Sequence, residues 1–349
     1  YMGDKFGRKS TIVLSTTLMA LSCVVVASIP TYQAIGIWAS VILILCRLLQ
    51  GFASFGEGVG ARVYVSEVSR PPYVHYHVSL LEFFSSFGNL AAIWIGALVL
   101  AWDHDFGWRW AFYLGALIAL FGSIARLHMS ESEAFRASKK QKQGQSLKQF
   151  LTFDPVQRRN LIAYLGIECL APLCVYVAFI HLPEILKLQY GYSAEDILRH
   201  NLYVTFFDVG CVYLMAYGTF FFKPMHILKA RGWTLLAFSL IFPWIMYAST
   251  KPWHILCVQA IIAGLGWGGI PAHAVLMRSF PIIGRYTKTS LPFAFAKILV
   301  YPLTAFGCYY AEKYFGFWGT GCVLLSMTII FLWGAYSFIV LDRTDSSNG

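Results

Sequence analysis

Long apolar runs separated by short polar segments make up most of this chain. The runs are about 20 residues or longer and continuous, whereas barrel strands alternate between polar and apolar positions, so the pattern predicts membrane-spanning helices. Ten spans are predicted, at about residues 10–29, 35–65, 75–101, 108–128, 159–186, 198–222, 232–250, 253–277, 287–311 and 315–340. The predicted fold class is an all-α polytopic membrane protein.

Composition and charge agree with that class. With 58% hydrophobic and 13% charged residues over 349 positions, the chain is too apolar for a soluble domain of its size. Its net charge of +10 comes from lysines and arginines concentrated in alternate loops, which orients a membrane protein and does not indicate nucleic acid as a partner. By the positive-inside rule these loops and both termini are cytoplasmic, which predicts a multi-pass protein in a lipid bilayer.

Cysteine spacing and phosphate-binding motifs exclude several kinds of chemistry. All eight cysteines lie inside apolar runs and none forms a C-x-x-C pair, so we expect them to pack as small apolar side chains and not to bind a metal. The sequence contains no G-x-x-x-x-G-K-[ST] phosphate loop. Neither a cofactor nor a catalytic residue is predicted, and the chain is not expected to be an enzyme.

The longest polar segment runs from His128 to Arg159 and is rich in Lys, Gln and Ser. It predicts a cytoplasmic linker at 129–158, between a transmembrane bundle at 1–128 and a six-helix bundle at 159–349. Four predicted spans precede this linker, and the chain starts at Tyr1 within a polar motif. We therefore expect the first bundle to be incomplete at its N-terminus.

Polar side chains line one side of the second predicted span. A charge near the bilayer centre costs about 2.5–3.5 kcal/mol, so such groups normally face a protein interior or a watery cavity. At about 100° per residue, one narrow stripe of the helix holds Arg47, Gln50, Ser54, Glu57 and Ala61. The stripe favours a helix that lines a transport path. The alternative is an Arg–Glu pair that only fixes helix packing.

A short polar motif, GDKFGRKS, precedes the first predicted span. Gly3 and Gly7 allow a tight turn, and Asp4 is an anion that can sit at a helix N-terminus or pair with a cation. With Arg8 beside it, such a contact would latch one face of a transporter shut. The motif resembles the G-x-x-x-D-[RK]-x-G-[RK]-[RK] loop of the major facilitator superfamily, which joins family spans 2 and 3. The resemblance implies the major facilitator fold, with the ten predicted helices as family spans 3–12.

Two longer stretches resemble one particular family within this superfamily. Residues 29–69 resemble the metabolite:proton symporter family, and within it the proline/betaine transporters, through Ile29-Pro30, Gln50-Gly51-Phe52 and Gly56-Glu57. Residues 106–135 resemble the same family at its W-G-W-R-x-x-F entry to a later span. One loop departs from the family, because FFKPMHILKARGW lacks the Asp of the repeated motif. We expect any latch there to be weakened or lost.

The resemblance also implies which polar residues within the spans carry function. It places Arg47 and Gln50 on a helix linked with proton coupling, and Glu168 on a helix that usually lines the cavity. The proton-coupling candidates are Glu57, Arg47 and Glu168. The substrate-path candidates are Gln50, Arg62, Tyr176, Trp267 and His273.

The function implied is proton-coupled symport of a small osmolyte, such as proline or glycine betaine, by alternating access. A cationic nitrogen suits aromatic faces, and a carboxylate suits an arginine or a helix N-terminus. One alternative is proton symport of an oxo- or dicarboxylate, with Arg47 and Arg62 as its anchors. Another is a truncated remnant that does not transport.

Overall fold

Helices form all the regular structure in the part of the chain that the computed structural model describes, residues 2–102, 107–141 and 153–340. The elements before residue 142 are α1 (Met2–Lys5), α2 (Arg8–Ser28), α3 (Tyr32–Ile35), α4 (Ile37–Val68), α5 (Val74–Trp102), α6 (Gly107–Leu127) and α7 (Glu133–Gln141). The later elements are α8 (Pro155–Glu168), α9 (Leu170–Tyr176), a π-helical turn (Val177–His181), α10 (Leu182–Tyr190), α11 (Ala194–Gly218), α12 (Pro224–Ala248), α13 (Pro252–Leu265), α14 (His273–Arg278), α15 (Arg285–Phe315) and α16 (Phe317–Ser337).

Length and composition make many of these helices suitable to cross a membrane. Among the described residues, seven segments qualify on both counts: Arg8–Ser28, Ile37–Val68, Val74–Val99, Gly107–Leu127, Pro155–Tyr190, Arg285–Phe315 and Phe317–Ser337. Helices α11 and α12 have 25 residues each, enough to span, but fall outside this set by composition. The predicted all-α polytopic membrane class is confirmed.

The starts of the helices follow from local sequence. Proline, which has no N–H to leave unsatisfied, opens α8, α12 and α13 at Pro155, Pro224 and Pro252. Helix α11 begins with a capping box, in which the Ser193 hydroxyl accepts the Asp196 N–H and the Asp196 carboxylate accepts the Ser193 N–H. The hydrogen bonds from Ser193 hold the pKa of the exposed Asp196 carboxyl below its usual value.

Two compact units emerge from the packing of the described residues. The first unit takes its residues from 1–68, 94–151 and 282–290. Within it, α2 packs along both α4 and α6. Its small apolar core centres on Val26, Ile29 and Cys46, with Phe112 of α6 packed against them. Buried polar and charged side chains lie in this unit beside the apolar ones, among them Asp4, Arg8 and Arg62.

The second unit takes its residues from 69–93, 152–281 and 291–349. Helix α16 packs against α8 and α12, and α11 packs against α13. A continuous apolar core runs through these helices and includes Tyr164, Phe242 and Phe331, each fully buried. The predicted division into bundles at 1–128 and 159–349 stays a prediction. Residues 142–152 of the predicted linker, and Tyr1, lie outside the described residues.

Two predicted spans differ from single uninterrupted helices. The span predicted at 253–277 is broken, because α13 ends at Leu265 and α14 begins only at His273. Glycines are poor helix formers and Pro271 cannot donate a backbone hydrogen bond, so the run GLGWGGIP does not continue the helix. The span predicted at 159–186 is interrupted at Cys169 and again by the π-helical turn. Pro172 explains the first interruption, since it offers no N–H to the carbonyl four residues earlier.

The predicted orientation can be tested at the two ends of α12. Lys223 and Thr250 are exposed and flank this helix. We expect a membrane-impermeant maleimide to label a Thr250→Cys variant from outside intact cells, and a Lys223→Cys variant only after permeabilisation, because the basic loops are cytoplasmic. The parent chain, with its eight native cysteines, sets the background. Labelling of Lys223→Cys in intact cells would reverse the orientation.

Candidate functional site

Asp4 caps the first turn of α15. One carboxylate oxygen accepts the backbone N–H and the hydroxyl of Thr287, each at 2.7 Å. The other accepts the backbone N–H of Tyr286 at 3.3 Å. The first N–H groups of a helix have no partner within the helix, and they carry the positive end of its dipole. A buried carboxylate at this position therefore satisfies both the hydrogen bonds and the charge.

Arg8 joins Asp4 to a wider buried ionic network. Its guanidinium lies 3.3 Å from Asp4 and 3.1 Å from Glu67, and it donates to the carbonyl of Ile282 at 2.7 Å. Arg285 also donates to the Glu67 carboxylate, at 3.3 Å. The side chains of Arg8, Asp4 and Glu67 are completely buried. Such charges are tolerated only when each has an opposite charge and hydrogen bonds around it.

The two glycines of the motif have different roles: Gly3 lets α1 lie close to α15, and Gly7 adopts an unusual backbone conformation. A Cβ on Gly3 would lie 2.5 Å from the ring of Tyr286, so a larger residue would push α1 away from α15. Gly7 has φ +117°, which side-chain-bearing residues rarely adopt, and it turns the chain so that Glu131 accepts the N–H of Arg8 at 3.1 Å. The structure thus brings Gly3, Asp4, Gly7 and Arg8 together.

The polar stripe of α4 divides into separate contacts. Arg47 is exposed and donates to Gln50 at 3.1 Å. Glu57 pairs instead with Arg126 of α6, at 2.6 Å, and both side chains are about 30% exposed. Arg62, in the same helix, is buried. An Arg–Glu pair that joins two helices is therefore present, but its arginine comes from another helix.

Three polar clusters hold the predicted site residues of the second unit. In the first, Nε2 of His273 lies 3.1 Å from Glu168, and Nδ1 lies 3.8 Å from Glu82. All three side chains are at least 94% buried. The structure thus brings two predicted site residues, Glu168 and His273, into contact.

The other two clusters hold the aromatic candidates. The indole N–H of Trp267 donates to Asp208 at 2.7 Å, beside a cavity of about 20 Å³ that Phe179 also lines. Tyr176 stacks on His181, with ring centroids 6.2 Å apart, and His181 pairs with a glutamate of α15 at 2.5 Å. Trp267 and Tyr176 therefore do not share one cluster with His273.

Several residues of these clusters were not predicted as site residues. They are Glu67, Arg126, Glu131, Tyr286 and Thr287 in the first unit, and Glu82, Asp208 and Arg231 in the second. Position in the sequence gives a helix face but not the neighbouring helix, so these partners required the tertiary structure. For the charged residues of this set, the signal in the sequence was a charge within or next to an apolar run.

Comparison with known proteins finds a matching family model and several related transporters. The family model of the Major Facilitator Superfamily matches residues 1–288. The proline/betaine transporter of Escherichia coli (strain K12) is 25% identical over 296 residues, which is 80% of this chain and 56% of the relative. A relative from Staphylococcus aureus (strain COL), whose name gives the same two solutes, is 39% identical over 139 residues, which is 38% of this chain and 30% of the relative. The chain spans about half the length of the first of these relatives.

Solved structures show the same fold. The proton:xylose symporter XylE superposes with a TM-score of 0.74, covering 95% of this chain and 81% of the symporter at 16% identity. The major facilitator fold expected from the first motif is confirmed, and so is the resemblance to the proline/betaine transporters. These relatives are transporters and not enzymes, as predicted.

The buried network predicts a large stability effect at Glu67. Glu67→Gln removes the negative charge that Arg8 and Arg285 share, so we expect the free energy of unfolding to fall by about 3 kcal/mol. Thermal unfolding in detergent measures this loss. The matched control is Glu195→Gln, because Glu195 pairs with Arg199 at the exposed end of α11 and should change stability by less than about 0.5 kcal/mol. Equal losses in both variants would contradict the structural role of Glu67.

Proposed function

Because the chain belongs to the major facilitator superfamily, we propose that it is a proton-coupled secondary transporter that works by alternating access. The observation that carries the proposal is the set of ionisable side chains buried within its spanning helices. Glu168 and His273 lie together there, each side chain at least 94% buried. Carboxylates and histidines at this depth are costly, and in membrane proteins they mark ion or proton pathways.

The proposed substrate is a small zwitterionic osmolyte such as proline or glycine betaine. A relative whose match covers 80% of this chain is named as a proline/betaine transporter, and that name supports this class of substrate. A cationic nitrogen is bound by carboxylates and by aromatic faces, and Asp208, Trp267 and Phe179 offer both around one cavity. The cavity has room for a single water, so we propose that substrate enters it only after the surrounding helices move apart.

An oxo- or dicarboxylate is the second candidate substrate. Arg62 is buried in α4, and an arginine at that depth is a natural partner for a carboxylate. Arg47 supports this alternative less strongly, because it is exposed and already donates to Gln50. We propose the cell inner membrane as the location, with both termini in the cytoplasm.

The uptake experiment separates these substrates. Cells that lack their own carriers are given radiolabelled proline, glycine betaine or a dicarboxylate, with and without a proton uncoupler. We expect accumulation of proline or betaine that collapses with the uncoupler. The assay is run with this chain and with any longer reading frame at its genomic locus. Uptake of the dicarboxylate alone would favour the second candidate, and uptake of none by either form would favour a non-transporting remnant.

We propose that Asp4 latches one face of the transporter through α15. Asp4→Asn removes the charge from this helix cap, which unbalances the two access states, so we expect transport to slow by about five- to tenfold without loss of folding. Initial uptake rates and circular dichroism measure the two effects. Asp196→Asn is the matched control, since Asp196 caps α11 at an exposed position and should leave the rate unchanged. An unaltered rate in Asp4→Asn would exclude the latch.

A further inference from the structure

The segment between α13 and α14 is an unwound stretch of backbone inside the second unit. The guanidinium of Arg231, which is 4% exposed, donates to three of its carbonyls. They belong to Trp267, Gly268 and Ile270. Unwound backbone is tolerated at membrane depth only where protein groups satisfy it, and such breaks are places where transporters bind ions.

A carboxylate from α8 lies directly against this break. A Cβ on Gly268 would be 2.8 Å from Oε2 of Glu168, so only glycine lets the carboxylate come this close to the backbone. Glu168 is the last residue of α8, where Pro172 interrupts the helix. Two interrupted helices therefore meet at one buried carboxyl group.

His273 begins the helix after the break, and its imidazole lies between two carboxylates. Nε2 is 3.1 Å from Glu168, a hydrogen-bond distance, whereas Nδ1 is 3.8 Å from Glu82 of α5, which is too long for one. A neutral imidazole has one N–H and can donate to one carboxylate, whereas an imidazolium donates from both nitrogens. The unequal distances fit a neutral ring whose N–H faces Glu168 and whose Nδ1 is an acceptor.

We propose that Glu82, His273 and Glu168 form the site that holds the transported proton. This inference rests on the proposed symport and assigns its proton to the second unit. A proton taken up at Nδ1 makes the ring an imidazolium, which draws Glu82 within hydrogen-bond distance while Glu168 stays bound. Release of the N–H proton at Nε2 to Glu168 then restores a neutral ring. One proton thus enters at Nδ1, on the side of Glu82, and another leaves from Nε2 to the Glu168 carboxylate, with no net change in the charge of the imidazole.

The charged groups packed around the site agree with this assignment. Arg231 of α12 is occupied by the carbonyls of the break, and Asp208 of α11 accepts the indole N–H of Trp267. Glu168 comes from α8 and Glu82 from α5. These three carboxyl groups and one guanidinium thus come from four helices other than α14, which carries the imidazole. Glu168 and Glu82 lie 3.1 and 3.8 Å from the imidazole, so a change in protonation at His273 acts on these two directly.

The test measures proton binding directly and needs no substrate. The purified full chain, labelled with ¹⁵N at its nine histidines, is titrated with acid in lipid nanodiscs and followed by NMR. His273→Gln identifies the His273 resonance. We expect Glu82→Gln and Glu168→Gln each to weaken proton binding at His273 by about tenfold or more, because each removes a neighbouring negative charge. Glu195→Gln, far from the site on an exposed turn, should leave the titration unchanged.

Two further variants allow a clear result even if a glutamine variant does not fold. Should a glutamine variant not fold, Glu82→Asp keeps the charge but lengthens the contact, and it is expected to shift the His273 titration in the same direction by a smaller factor. Glu57→Gln tests the rival position in the first unit and should leave His273 unaffected. A His273 that does not titrate in the parent chain, or one that titrates in Glu82→Gln and in Glu168→Gln as it does in the parent, overturns the proposal. Proton-driven uptake would then still stand or fall on the uptake assay alone.

Discussion

A charge buried among membrane-spanning helices must be matched by an opposite charge or by backbone dipoles, and much of this structure follows from that requirement. Arg8 and Arg231 are both almost completely buried. Each donates to backbone carbonyls at a place where helical hydrogen bonding has stopped, at Ile282 for Arg8 and at the α13–α14 break for Arg231. Asp4 does the converse, since it accepts N–H groups at the start of α15. The unfinished ends of helices and the buried charges thus satisfy one another.

The two buried arginines, Arg8 and Arg231, are held by different partners. In the first motif, Asp4 and Glu67 neutralise Arg8, and the carbonyl contact is only part of its environment. In FFKPMHILKARGW no aspartate is present, but Arg231 keeps its place by binding three carbonyls of one segment. Backbone carbonyls therefore supply the hydrogen bonds of this arginine, and the nearby Glu168 carboxylate supplies an opposite charge. A carboxylate on a helix N-terminus and a guanidinium on a helix break thus satisfy the two kinds of unpaired backbone group, N–H and carbonyl.

Hydropathy alone predicted the helices well, because a continuous apolar run of span length has few other solutions in a membrane. The glycine–aspartate motif also predicted a cluster that the structure assembles, since its glycines and charges are close in sequence. Contacts between segments that are distant in the sequence could not be predicted from the sequence. The stripe on α4 placed Glu57 with Arg47, but helix periodicity cannot tell that Arg126 of α6 lies opposite. The break before His273 lies inside a predicted span, because membrane helices tolerate glycine and proline and the run GLGWGGIP does not by itself show that a helix ends.

Both the proposed latch and the proposed proton site lie where backbone hydrogen bonds are not fixed by the helix itself. At the start of α15, the N–H groups of Tyr286 and Thr287 are bound by Asp4 and not by a helical carbonyl, so their acceptor can be exchanged without breaking the helix. At the α13–α14 break, the position of the backbone depends on Arg231 and on the space that Gly268 leaves for Glu168. The interior of a regular helix offers no such exchange, because each N–H is already bound to a carbonyl. Small changes of charge can therefore alter the structure at these two places at lower cost than anywhere within the continuous helices. That is why we place gating and proton binding there.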